Sequence, residues 1–270
     1  MRARALLFGL NYAHTADAKL AGCVNDVRAM AAYLAAAVTP NVEVVTDDVD
    51  LAGTSAQGIV RRLYDLAVRS FSEDLELAYV HYSGHGSYVR DASGDEADGQ
   101  DECLVPSDFR TAGLVSDDTL CALFGAFNPK TRVVCVFDSC HSGTVGDVLY
   151  SWEGPRRAAV ENIMCDVKAR VLTLSGCLDA QTSADAQGLL GDGKAIGALT
   201  ACLLLALRES PAAAKDAFAL LAAVRAKLRE RGFPQVPKLC STHNLARDPV
   251  FLPGVAGVAP PTTRIGGQAG

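Results

Sequence analysis

A cysteine and a histidine stand where they could act as a nucleophile and its base. Cys140 lies in Asp138-Ser139-Cys140-His141-Ser142-Gly143, and His85, 55 positions earlier, lies in Tyr82-Ser83-Gly84-His85-Gly86. A thiol is strongly nucleophilic only as the thiolate, and an imidazole within reach can take its proton. The glycines flanking His85 leave room for a substrate backbone, and Gly143 permits a tight turn whose N–H groups could face a developing oxyanion. Most of the nine cysteines sit in apolar runs, where a thiol behaves as a small hydrophobe. Cys140 differs because its neighbours are polar. Two other histidines compete as the base. His81 falls inside a predicted strand, the usual place for a satisfied core histidine, and His141 directly follows Cys140, so its side chain is expected to point elsewhere.

Acids form a second constellation. Residues 91–102 carry six acids and no base, and Asp117, Asp118 and Asp147 follow. A cluster of hard oxygen ligands with mutually repelling charges invites Ca²⁺; the plainer reading is a solvated acidic loop, and the spacing is not that of an EF-hand. Asp138 ends the strand before Cys140, and Asp26 sits in a strand-to-helix turn, where it could also cap the helix.

The elements that must hold these groups follow from periodicity. Strands are predicted at 4–10, 41–46, 75–82, 131–138, 169–175 and 238–242. Helices are predicted at 25–38, beginning on Asn25 or Asp26, at 54–69 with Thr54 or Ser55 as cap, within 114–127, and at about 194–208 and 212–231. Residues 87–102 read as a polar loop, and 144–168 show no periodicity. The near-continuous apolar run Thr131–Asp138 is the signature of a strand buried on both faces. Alternating strands and helices imply an α/β fold with a mostly parallel sheet covered on both faces. Chemistry in such sheets gathers at the carboxyl ends of strands, where the Ser83-Gly84-His85 and Asp138-Ser139-Cys140 segments would lie side by side. One catalytic domain over 1–252 is expected, divided into a large part to about 155 and a small part from about 169, with a flexible tail at 253–270.

Composition limits the partners. A net charge of −6, from 25 basic and 31 acidic residues, argues against general nucleic-acid binding. The apolar stretch Ala195–Leu207 is too short to span a bilayer and reads as a buried helix. No CxxC pair occurs, and the cysteine usage fits a reducing, cytoplasmic setting without membrane attachment.

Six segments carry a resemblance: ALLFGLNY (5–12), LAGCVNDVRAM (20–30), HYSGHG (81–86), DECLVPSDF (101–109), VFDSCHSG (136–143) and SGCLDAQTSAD (175–185). In this order they resemble the metacaspases, caspase-like cysteine peptidases, and most closely a type I-like member without a prodomain. The resemblance implies the caspase–haemoglobinase sandwich, with Cys140 as nucleophile and His85 as general acid/base. It also implies a pocket for a P1 Arg or Lys made by Cys23, Asp26, Ser83 and Asp138, and a Ca²⁺ site made by Asp101, Asp117, Asp118 and Asp147. Family members tend to be monomeric, act on protein or peptide substrates, and cleave themselves after basic residues; the candidates here are Arg156, Arg157 and Lys168. Asp179, Gln181 and Ser183 resemble a family loop near the active site, and Cys177 lacks a histidine partner of its own. Two other readings stand beside this one. They are a non-proteolytic scaffold or chaperone-like protein on the same fold, and a metal-dependent hydrolase, which lacks ligand spacing such as HExxH.

Overall fold

The computed structural model describes residues 1–90, 100–139, 148–160, 166–176, 188–191 and 193–255. Its centre is an eight-stranded sheet. In chain order the elements are β1 (Ala3–Gly9), α1 (Cys23–Ala37), β2 (Val42–Thr46), α2 (Ala56–Ser72), β3 (Leu77–Ser83), β4 (Gly86–Arg90), β5 (Gln100–Leu104), α3 (Phe109–Ala112), β6 (Val115–Ser116), α4 (Asp117–Gly125) and β7 (Arg132–Asp138). Then come β8 (Tyr150–Gly154), β9 (Arg157–Val160), β10 (Arg170–Ser175), α5 (Ala198–Glu209), α6 (Ala217–Glu230) and β11 (Lys238–Ser241). The sheet order is β2-β1-β3-β7-β10-β11-β8-β9. The first five strands are mutually parallel, and β11, β8 and β9 pair antiparallel.

Side chains alternate across a strand, so residue parity decides which helices each one meets. Ala5, Leu7, Leu77, Tyr79, Val134, Val136, Leu172 and Leu174 pack with α1, α5 and α6 through Val27, Met30, Leu34, Leu199, Leu203 and Leu220. Leu6, Phe8, Ala78, Val80, Val133, Cys135, Phe137 and Val171 face the other way, onto Ile59 and Leu63 of α2 and Leu120 and Phe124 of α4. Both faces are therefore covered, which is why the inner strands are apolar throughout. Thr200 is the one polar side chain within the apolar start of α5 and is fully buried. Among the described residues no helix is long and apolar enough to cross a membrane.

Three local expectations are corrected, and one choice between two caps is resolved. The helix expected at 25–38 begins at Cys23, and its N-cap, Gly22, makes no side-chain cap bond. Asp26 therefore lies inside the first turn and does not cap it. In the next helix Ser55, not Thr54, is the cap and accepts from Gly58 N–H. The polar loop expected at 87–102 contains β4 and β5, which pair with β6 in a small antiparallel sheet. Residues 150–160, expected to lack regular structure, form the β8–β9 hairpin at the sheet edge. Short strands exposed to solvent or burying an acid carry no apolar alternation, so pattern reading passes over them.

Candidate active site

β3 and β7 run parallel in a register that sets Ser83 beside Asp138 and His81 beside Val136. The β3–β7 ladder continues one step further, as Gly84 N–H donates to Asp138 O at 3.3 Å. Parity turns His81, Ser83 and Asp138 toward α1 and α5. There Ser83 Oγ donates to Asp26 Oδ2 at 2.5 Å, and Gly197 N–H donates to Asp26 Oδ1 at 2.6 Å. Asp138 Oδ2 accepts from both Thr200 N–H at 2.9 Å and Thr200 Oγ1–H at 2.7 Å. Asp26 is 1% exposed and Asp138 4%. Burial pushes the Asp138 carboxyl above its ordinary range, against the Thr200 hydrogen bonds, which lower it. Cys23, the first residue of α1, is buried alongside. Three of the four residues of the expected P1 pocket, Asp26, Ser83 and Asp138, thus come together through direct bonds or strand register.

His85 stands on the opposite face of the sheet, just past β3. Its backbone N–H donates to Tyr12 Oη at 2.9 Å, and the two rings lie 4.8 Å apart. Tyr82 Oη is 2.9 Å from His85 O and 2.8 Å from Val105 O, and Tyr12 Oη donates to Val105 O at 2.6 Å. Nε2 of His85 lies 2.9 Å from Ala18 O. A carbonyl oxygen only accepts, so the ring proton is assigned to Nε2, and Nδ1 keeps its lone pair for use as a base. Ala18 reaches His85 because the loop after β1 turns sharply at Tyr12, whose φ is +51°. A side chain seldom adopts that left-handed backbone, and here Asp47 holds it by accepting the N–H groups of Asn11 at 3.0 Å and Tyr12 at 2.5 Å.

His81 is fully buried between Tyr79 and Thr200, and burial pulls its imidazole down to about 3. It is a neutral core histidine, as its position inside the strand suggested, and is not a solvent-facing base. Gly84 has no room for a side chain. A Cβ there would lie 2.7 Å from Tyr82 Oη and 2.9 Å from Tyr12 Oη, the two hydroxyls that anchor His85. Gly84→Ala is therefore expected to displace the imidazole and lower kcat/KM by about 10²-fold, the scale of a ~1 Å misplacement of a catalytic group. Steady-state kinetics, with circular dichroism to verify the fold, checks this.

Of the acids expected to bind a cation, Asp101 on β5 and Asp117 at the start of α4 are buried, and Asp118 is exposed. Asp117 accepts Glu102 N–H at 2.8 Å and Asp118 N–H at 2.9 Å. Burial, with Glu102 beside it, pushes the Asp117 carboxyl up to about 8. The Cys103 thiol, itself pushed up to about 12 by burial, feels Asp117, Asp101 and Glu102 together, which places the acids around one short stretch of β5. Among the described residues no three such side chains already surround a common point. What fits a cation is the donor chemistry: neighbouring buried carboxylates of one sign.

Cys140, His141, Asp147, Cys177, Asp179, Gln181, Ser183 and the acids at 91–98 lie outside the described residues. Asp138 and Ser139, directly before Cys140, are described, and both are buried. Sequence reasoning missed Tyr12, Asp47, Gly197 and Thr200. The signals for the last two were a glycine and a lone threonine interrupting the apolar run Ala195–Leu207.

Residues 3–149 match the family model described as metacaspase, peptidase C14 domain. The chain is 34% identical to "Metacaspase-2" of Trypanosoma brucei brucei over 92% of its own length and 75% of that protein. It is 35% identical to "Metacaspase-3" of Trypanosoma cruzi over 88% of its length and 70% of that protein. A crystal structure of a Geobacter sulfurreducens protein superposes with a TM-score of 0.64 at 28% identity, covering 93% of this chain and 97% of that one. Caspase-1 from Spodoptera frugiperda superposes with a TM-score of 0.57 at 16% identity, over 89% and 88% of the two chains, and so shares the fold.

Proposed function

The chain belongs to the metacaspase family of cysteine peptidases, and from that premise we propose that it is a calcium-dependent endopeptidase cleaving after Arg or Lys. The observation that carries the specificity is the convergence of Asp26 and Asp138, two buried carboxylates, at the tips of the strands that lead to His85 and Cys140. A guanidinium or ammonium is the group such a slot would accept, and a carboxylate pair can hold guanidinium bidentately. In the proposed reaction the Cys140 thiol gives its proton to Nδ1 of His85, and Sγ attacks the carbonyl carbon of the P1 residue. The C–N bond breaks, and the imidazolium returns the proton to the departing amine. Water then cleaves the thioester, with His85 taking its proton and restoring the thiol.

Asp101, Asp117 and Asp118, with Asp147, would hold the calcium ion. Bound there, Ca²⁺ supplies positive charge to a crowded set of carboxylates and stabilises the form that binds it. Free Ca²⁺ at about 100 times its Kd is expected to add roughly 2.7 kcal/mol of stability. In a thermal-shift titration run beside hydrolysis of P1-Arg, P1-Lys and P1-Asp peptides, Ca²⁺ should raise both Tm and the Arg/Lys rate. EGTA should reverse both effects, and Asp117→Asn should abolish the response. A calcium-indifferent enzyme, or one preferring P1-Asp, would refute the corresponding part of the reading.

Self-cleavage, if it accompanies activation, is best placed at Lys168. Arg156 is in the turn of the β8–β9 hairpin, and Arg157 is within β9, paired with Glu153 at 2.8 Å. Cleaving there requires the hairpin to open. Lys168 is exposed on an irregular segment, where a nick is better tolerated.

A further inference from the structure

The P1 slot rests on a wall that none of the expected pocket residues supplies. Thr200 lies between His81 and Asp138: Oγ1 is 3.2 Å from His81 Nε2 and donates to Asp138 Oδ2 at 2.7 Å. His81 Nδ1 is 3.3 Å from Tyr79 Oη. Against an ionised Asp138 only one direction of donation is consistent. Thr200 spends its proton on the carboxylate and so accepts from Nε2–H, which leaves Nδ1 to accept from Tyr79. The chain Tyr79–His81–Thr200–Asp138 is thus fully directional and buried. Three residues earlier, Gly197 occupies the point on which the carboxylates converge: a Cβ there would lie 2.4 Å from Asp138 Oδ2 and 2.8 Å from Asp26 Oδ2.

We propose that Thr200 and Gly197 are the positioning residues that make this slot selective for a cationic P1 side chain. Thr200, oriented by His81, occupies Oδ2 of Asp138. Among the described residues Oδ1 accepts no hydrogen bond and is left to the substrate. Gly197, by lacking a side chain, lets both carboxylates hold their positions. This rests on the Arg/Lys reading and deepens it. The plain alternative is that the acids merely cap α5, since they accept the N–H groups of Gly197 and Thr200 in a helix with no side-chain cap of its own.

Thr200→Val separates the two, because it keeps the backbone bond to Asp138 and removes only Oγ1. Loss of a hydrogen bond to a charged group predicts about a 10-fold rise in KM for a P1-Arg peptide and an equal loss of preference over P1-norleucine. Little change in kcat should accompany it, and Thr200→Ser should restore KM. Gly197→Ala, which obstructs both carboxylates, should lose about 100-fold of the preference. Iodoacetamide should inactivate all variants at the wild-type rate, since the dyad is untouched. If wild type shows no preference for P1-Arg over norleucine, the Arg/Lys reading fails and the inference falls with it. If wild type prefers Arg and Thr200→Val keeps that preference and its KM, the inference alone is overturned.

Discussion

Cys140→Ala is expected to lower kcat toward P1-Arg peptides by about 10⁴-fold or more, leaving substrate binding near normal. The reasoning is chemical. Among the described residues at the tip of β7, Ser139 is the other candidate and it is buried; of the described cysteines, Cys135, Cys202 and Cys240 sit in the two cores, Cys103 lies in the acidic cluster on β5, Cys23 begins α1 and Cys121 is on α4. His85→Ala should cost a comparable factor, because without the imidazole neither the thiolate nor the protonated leaving amine is readily formed. Residues that act as one unit are non-additive, so the double variant should be no slower than either single variant. Single-turnover kinetics on the three variants measures this directly. Full activity in Cys140→Ala would remove the thiol mechanism altogether.

Asp138→Asn should separate activity from stability. It removes a charge that a cationic P1 group would pair with in a site shielded from water. The expected loss in kcat/KM for P1-Arg is roughly 10²- to 10³-fold, the scale of losing one partner of a buried charge pair. Asn still offers an oxygen to Thr200 N–H and Oγ1–H, so the start of α5 keeps its acceptor. Stability should move the other way. Burial raises the Asp138 carboxyl above its unfolded value, so the folded state binds this proton more tightly than the unfolded chain does. Ionising it therefore costs stability as pH rises above the ordinary carboxylate range, and a neutral amide avoids that cost. Thermal melts at neutral pH should show a higher Tm for Asp138→Asn than for wild type, by about 2–4 °C for each kcal/mol relieved. The gap should narrow as the pH is lowered toward the unfolded carboxylate pKa. A variant that is both inactive and markedly less stable would mean that Asp138 serves the fold and not the substrate.

The Asp26 and Asp138 pair shows where sequence reading stops. Both acids were legible as candidates, because each falls at a strand end or helix start within a distinctive motif. Their roles were not. Asp26 also read as a helix cap, and it meets Ser83 and Gly197 because α1 begins at Cys23 and places Asp26 inside the first turn. The hidden strands have a related cause. Asp101 is buried on β5 where a hydrophobe would normally mark the inner face, and β9 is exposed along its whole length. Neither displays the alternation by which a strand is recognised.

The chain by itself determined the long apolar strands, their alternation with helices, and the two motifs at the tips of β3 and β7. Those signals are local, written in residue type and period over a few neighbouring positions. Only the tertiary structure decided that Thr200 meets both His81 and Asp138, that Gly197 faces two carboxylates at once, and that the carbonyl of Ala18 assigns the His85 tautomer. Each of these contacts joins positions from 59 to 171 residues apart in sequence. Such pairings follow from strand order and helix packing, which no local pattern records.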